Sequence, residues 1–424
     1  MIDLLIRSAG CLLSMAGASD KPRRGPAMAE LPLLRDAAIG VNSRSGLIEY
    51  VGPDSGIPAK QLSGDPEILD AEGRLAMPGF VDSHTHLVFA GNRADEFYRR
   101  ASGVSYAEIA RQGGGIRKTM EATRGASRQE LFELAWQRYL RLLDNGTTCV
   151  ECKSGYGLSV DSERMAMQVI SDLARKAPGV MQRTYMGAHL IPPEYADDRM
   201  TYVRQVADEL QHYAEGGLCD FYDIFVDPLA FSQVEAQQIV DRGRELGMKL
   251  RLHADEFGDD GTAAWAVANA AVSADHLGGI GPGGISALAA SDTVATLLPG
   301  TMFFSGHGEY APARQMIDAG CAVALATDLN PGSSLMYSLP LVMTLAVLEM
   351  KMTAAECLNA VTINAAHALG LGASLGSIEA GKRADIIILD CGSPDELAYQ
   401  VGTNLVSDVI CGGEVIKRHG VMFI

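Results

Sequence analysis

Met77-Pro78-Gly79-Phe80-Val81-Asp82-Ser83-His84-Thr85-His86 carries an apolar run into two histidines one residue apart. In an extended strand, residues i and i+2 point the same way, so His84 and His86 reach one point just past a strand end. Two neutral imidazoles facing one point offer two ring-nitrogen lone pairs, an arrangement that suits a metal ion. A lone His-x-His more often marks two polar residues in a surface turn. The rest of the chain decides between the two readings.

From Met77 onward, strands alternate with helices. Ser127-x-x-Glu130 and Ser232-x-x-Glu235 read as capping boxes that open helices. After the first, Leu131, Leu134, Ala135, Tyr139 and Leu142 fall at helical spacing before Asn145-Gly146 stops the run. Asp161 is expected to cap a helix that runs to Lys176. Strands are expected over 147–152, 183–187, 221–226, 249–252, 272–275, 293–298 and 323–327. With the strand before His84 they make eight, the pattern of an α/β TIM (β/α)8 barrel. His84, His86, His189, His253, His276 and Asp328 each come just after one of these strands, which places them on the catalytic face of such a barrel. His212, His307, His367 and His419 do not fit this rule and read as ordinary helix or loop histidines.

Residues 1–75 and 372–424 look different. Short strands and turns dominate both, with a polar, Pro/Gly-rich insert over 14–26 read as a loop. They are expected to form one small, discontinuous β-sandwich-like domain built from both termini, with 76–371 as the barrel. The length of 424 residues fits that sum.

Composition narrows the function. A net charge of −17, from 35 basic and 52 acidic residues, argues against nucleic-acid or anionic-membrane surfaces. The first residues, Met1 to Arg7, read as a strand and not as a signal peptide, and no apolar stretch is long enough for a membrane span. The eight cysteines show no spaced framework. Cys149 and Cys152 lie on a strand and face opposite ways, so they do not share a metal. Reduced thiols in a cytoplasmic protein are the expected state.

The candidate metal ligands are His84, His86, His253 and Asp328. Three imidazoles and a carboxylate suit one divalent metal per chain, zinc or iron, with manganese also compatible. Such a metal lowers the pKa of its water to about 7, which gives a hydroxide nucleophile. Asp328 is placed to accept that proton, and His276 to polarise a carbonyl or bind the oxyanion. Glu256, three residues after His253, is a candidate general acid/base. The competing reading for Glu256 is an acid at a helix N-terminus, favoured by the dipole, and spacing alone weighs the two evenly.

With these residues in hand, the chain resembles the metal-dependent amidohydrolase superfamily. The stretch 78–86 looks like its opening motif, and Gly381-Lys382-Arg383-Ala384-Asp385-Ile386 like its small-domain motif. Many members bridge two metals with a carboxylated lysine after strand four. Here strand four is expected to end at Asp227 and Lys153 ends strand two, so the resemblance implies a mononuclear site.

A closer resemblance, covering nearly the whole chain, is to the branch that hydrolyses a cyclic amide in histidine breakdown. It rests on Phe89-Ala90-Gly91-Asn92-Arg93, Gly113-Gly114-Gly115-Ile116, Lys153-Ser154-Gly155-Tyr156-Gly157, Gly187-Ala188-His189, His253-Ala254-Asp255-Glu256 and 327–333. The resemblance implies 4-imidazolone-5-propanoate as substrate and N-formimino-L-glutamate as product. It implies that Arg93 and Tyr156 hold the propionate with Tyr106 assisting, and that His189 contacts the ring or side chain. Glu256, Asn330, Gly332 and Ser333 would complete the substrate site. A guanidinium suits a carboxylate because it donates two parallel hydrogen bonds. From the residues alone, Arg93 reads more readily as a solvated surface arginine, and Gly113–Gly115 equally as a closing segment or a plain connector. The expected mechanism has hydroxide attack the ring carbonyl, Asp328 take the proton, His276 help hold the oxyanion and Glu256 protonate the leaving nitrogen.

A mononuclear deaminase of a cytosine- or guanine-like base is the nearest rival, and a non-catalytic assembly protein on the same fold is the second. The expected partner is a small molecule, with a homodimer as an open state of assembly.

Overall fold

The computed structural model describes residues 1–104, 108, 111–306 and 308–424. Two sheets organise them. The first holds β1 (Ile2–Leu13), β2 (Leu33–Asn42), β3 (Leu47–Pro53), β4 (Leu62–Asp70) and β5 (Leu75–Pro78) from the N-terminal side. The second is parallel throughout and runs in chain order: β6 (Phe80–Asp82), β7 (Thr147–Lys153), β8 (Val180–Ala188), β9 (Phe221–Phe225), β10 (Lys249–Ala254), β11 (Ser273–His276), β12 (Val294–Leu297) and β13 (Val323–Leu325). From the C-terminal side, β14 (Ile386–Leu389), β15 (Val406–Cys411), β16 (Glu414–Arg418) and β17 (Val421–Met422) complete the first sheet. β14 pairs antiparallel with β5, and β5 pairs parallel with β1, so the two termini share one layer.

The eight parallel strands form the expected barrel, and its closure decides the chemistry. The His86 amide donates to Leu329 O at 2.8 Å, and the Asp328 amide to His84 O at 3.1 Å. The seam between the first and last strand ends therefore sets His84, His86 and Asp328 side by side. Asp82 fastens the same seam, accepting from the Thr327 amide at 3.0 Å and its hydroxyl at 2.6 Å.

Pro78-Gly79-Phe80 is where the chain leaves one sheet for the other. A Cβ on Gly79 would stand 2.2 Å from Thr148 Oγ1 on β7, so only glycine lets the crossing pass this close. Leu131, Ala135, Tyr139 and Leu142 face the core from the helix Arg128–Asp144.

Two helix starts differ from the sequence reading. Ser159, not Asp161, caps the helix Val160–Lys176, its side chain accepting from the Ser162 amide. Asp161 sits in the first turn, where the dipole favours an acid without a capping bond. Ser127 caps its helix by accepting from the Glu130 amide, whereas Ser232 and Glu235 form the full reciprocal box. All eight cysteines are free. Cys149 and Cys152 pack into different apolar clusters, as strand alternation requires. Among the described residues no helix is long and apolar enough to cross a membrane.

Candidate active site

His84, His86, His253, His276 and Asp328 are all buried at the C-terminal ends of barrel strands. The ring centroids of His84 and His253 lie 4.6 Å apart, and those of His253 and His276 4.9 Å. Asp328 Oδ1 stands 3.5 Å from His84 Nε2 and 3.8 Å from His86 Nε2. Ligand atoms of His84, His86 and Asp328 lie within 4.8 Å of one another, as do those of His84, His253 and His276. The four expected ligands thus fall into two trios that share His84, and His276, expected beside the metal, stands with His84 and His253 in the second.

Backbone strain shapes this centre. His276 has φ +78° and Asp328 φ +51°, left-handed values that non-glycine residues seldom adopt. Adjacent strand residues ordinarily point apart. The turn at His276 lets its ring and the neighbouring Asp275 carboxylate serve the same centre.

The histidines are held from behind. His84 Nδ1 bonds Asp275 Oδ2 at 2.7 Å, and His253 Nδ1 bonds Asp223 Oδ1 at 3.0 Å. A carboxylate on Nδ1 fixes the tautomer and turns Nε2 toward the centre. His84 Nε2, His86 Nδ1 and His276 Nδ1 are buried without a hydrogen-bond partner among the described residues. Orphaned buried nitrogens beside a carboxylate fit a divalent cation. Burial, with the neighbouring cations and rings, pushes the imidazoles of His84, His86 and His276 well below the usual histidine range, so they are neutral and able to ligate. Burial also raises the Asp328 carboxyl to about 6, against the bond it accepts from Thr301 Oγ1 at 2.6 Å.

Glu256 Oε1 lies 3.5 Å from His276 Nδ1. Burial, then the charges of Asp328 and Asp227, raise its carboxyl well above the usual range. This favours the acid reading over the helix-terminus one. Asp255 turns away, as expected, and accepts from the amides of Asp260, Thr262 and Ala263.

The other side of the site gathers the residues expected to hold substrate. Arg93 is buried, so the solvated-arginine reading falls. Its Nε donates to Glu96 Oε2 at 2.8 Å, and Glu96 Oε1 accepts from the Gly115 amide at 3.0 Å, which ties down the glycine segment. The guanidinium lies against Gly332, where a Cβ would meet Nη1 at 2.2 Å. Its Nη atoms donate no hydrogen bond among the described residues. Tyr156 is buried, with its ring 5.6 Å from His86 and 5.3 Å from His189. His189 stacks on His86 at 5.2 Å, bonds Gly155 O through Nδ1 and is lowered to about 3, chiefly by burial. Asn330 spends its amide on the loop itself, accepting from the Gly332 and Ser333 amides and donating to Asp328 O. Tyr106 and His307 lie outside the described residues. His212 and His419 make no contact with the centre, and His367 bonds Ala18 O.

Sequence reading passed over Asp223, Asp275, Glu151, Arg251 and Thr301. The signal for the first four was present, because charged residues inside short barrel strands must be paired when buried, whereas Thr301, on the helix Pro299–Ser305, carries no such mark.

Barrel, seam and donor set define a metal-dependent hydrolase. The model of the Amidohydrolase family matches residues 75–416. Imidazolonepropionase of Symbiobacterium thermophilum is 43% identical over 422 residues, covering 99% of this chain and 98% of that protein. The imidazolonepropionase of Solibacter usitatus is 43% identical over 419 residues, covering 99% of each. Among solved structures, an adenosine deaminase from Xanthomonas campestris with bound zinc superposes with a TM-score of 0.73 at 19% identity, covering 100% of this chain and 94% of that one. The chain belongs to the imidazolonepropionase family of the amidohydrolases.

Proposed function

We propose that the chain hydrolyses the ring C–N bond of 4-imidazolone-5-propanoate to give N-formimino-L-glutamate. The observation that carries the substrate is Arg93, a buried guanidinium beside Gly332 on the loop after Asp328. A neutral base needs no such group; a propionate does.

His84, His86, His253 and Asp328 would hold one divalent metal, zinc or iron. Such an ion supplies Lewis acidity and a water acidic near neutral pH. The chain's own groups do the rest. Asp328 accepts the proton of the attacking water. His276 faces the carbonyl oxygen as negative charge develops there. Glu256, kept protonated by burial, gives its proton to the leaving ring nitrogen as the C–N bond breaks. The propionate is held by Arg93 and Tyr156, with Tyr106 assisting, while His189, Asn330, Gly332 and Ser333 line the remaining wall.

Cytoplasmic operation belongs to this reading, supported by eight free thiols, and so does a homodimer, which light scattering would test. Product analysis tests the reaction: mass spectrometry should find N-formimino-L-glutamate and no ammonia. Ammonia released from a cytosine- or guanine-like base, with the imidazolone untouched, would establish the deaminase instead.

A further inference from the structure

Beneath the histidines lies a fully buried ionic cluster that hydrolysis does not call on. Lys153 Nζ stands 2.8 Å from Glu151 Oε1, 2.7 Å from Asp223 Oδ2 and 3.9 Å from Asp275 Oδ2. Arg251 Nη2 adds a bond to Asp275 Oδ2 at 2.9 Å. All five side chains are buried, and they come from β7, β9, β10 and β11.

We infer that Lys153 is a positioning residue: it fixes His84 and His253 through their carboxylate partners, and so sets the affinity of this chain for its metal ion. The inference rests on the metal reading above. Asp223 accepts from His253 through Oδ1 and from Lys153 through Oδ2. Asp275 accepts from His84 while standing at the edge of the same ammonium. One cation thus spans the acceptors of two ligands on different strands. Glu151 extends the grip. Its Oε2 accepts from the Thr85 amide at 3.3 Å and its carbonyl from Thr85 Oγ1 at 2.6 Å, and Thr85 lies between the two histidines that open the site.

A lysine that only filled space would be replaceable by an apolar chain of similar length. Buried ion pairs often are, with little change in stability. This one is different because removing the ammonium leaves three buried carboxylates to Arg251, which reaches Asp275 and Glu151, and takes from Asp223, the partner of His253, its cation. The same pairing tells against a carboxylated lysine here, since Nζ is already engaged by Glu151 and Asp223 as a cation.

The test is Lys153→Met in the full chain, with zinc as the probe and a chromophoric chelator as competitor. Zinc affinity should fall about 10- to 100-fold, the usual range for lost support behind a ligand. The cobalt-substituted form should show altered ligand-field bands, which a change in bulk stability would not produce. If that variant does not fold, Lys153→Gln, which removes the charge but keeps a hydrogen-bond donor in the cluster, is the second variant, and weakened zinc binding is again expected. Either variant, folded, with wild-type zinc affinity and unchanged cobalt bands would overturn the inference. Failure of the wild-type chain to take up zinc would overturn the metal site beneath it as well.

Discussion

Glu256 Oε1 and His276 Nδ1 face each other across 3.5 Å, a carboxyl that burial raises well above its usual range against an imidazole that burial lowers well below its own. Glu256 therefore has a proton to give at neutral pH and a neighbour that does not take it. Glu256→Gln keeps the shape and removes the acid. Its kcat should fall about 10²- to 10⁴-fold, the span for loss of general acid–base catalysis, with zinc content unchanged. Because burial raises this carboxyl, the acid is lost only as pH rises through the elevated pKa, so wild-type activity should decline on the alkaline side. Full turnover by the variant in steady-state assays would remove Glu256 from the proton transfer.

Asp328 should set the acid limit of metal uptake. It must be ionised to ligate, and burial holds it at about 6, while His84 and His86 lie well below the usual range and compete little with protons. Zinc affinity, measured by calorimetry in buffers of different ionisation enthalpy, should weaken as pH falls through about 6, with proton release on binding in that range. Uptake that stays unchanged as pH falls through about 6 would contradict this.

Arg93 should act on the carboxylate alone. Arg93→Met removes a charge-assisted donor worth about 1.5–3 kcal/mol, so KM for the propionate substrate should rise about 10- to 100-fold. An analogue without the carboxylate should show no such loss. Equal penalties for both molecules would make Arg93 a structural residue that supports the Glu96–Gly115 contact.

Glu235 predicts a stability effect far from the chemistry. It joins the capping box of Gln233–Glu245 and takes two bonds from Arg199, at 2.6 and 2.9 Å. Arg199 holds its carboxyl down at about 2. A depressed pKa stabilises the fold above the ordinary value near 4.5, and the benefit is lost as pH falls toward about 2. Glu235→Ala should cost about 1–2 kcal/mol at neutral pH, the sum of a cap and a partly exposed ion pair, and less at acid pH. Urea melts at both pH values measure the difference.

Much of the architecture was legible because the barrel strands are short and rich in apolar residues, and several of them end at a chemically distinctive residue. Counting strands and reading the residue just past each end located His84, His86, His253, His276 and Asp328 together. Closure was not legible. It depends on backbone bonds between 84–86 and 328–329, and on left-handed turns at His276 and Asp328 that strand periodicity does not anticipate. Arg93 was ambiguous because composition favours exposure for arginine; its burial comes from a glycine more than two hundred residues away, Gly332. The cluster around Lys153 stayed hidden because its partners arrive from four strands, and pairing across a barrel needs the register.

A metal-dependent opening of the imidazolone ring is the central claim. It is tested most directly by mixing purified, metal-analysed protein with 4-imidazolone-5-propanoate and monitoring the imidazolone absorbance. The predicted result is decay that a chelator abolishes and added zinc or iron restores. Persistent absorbance with about one metal bound per chain would contradict the substrate, and decay that survives complete metal removal would contradict the chemistry.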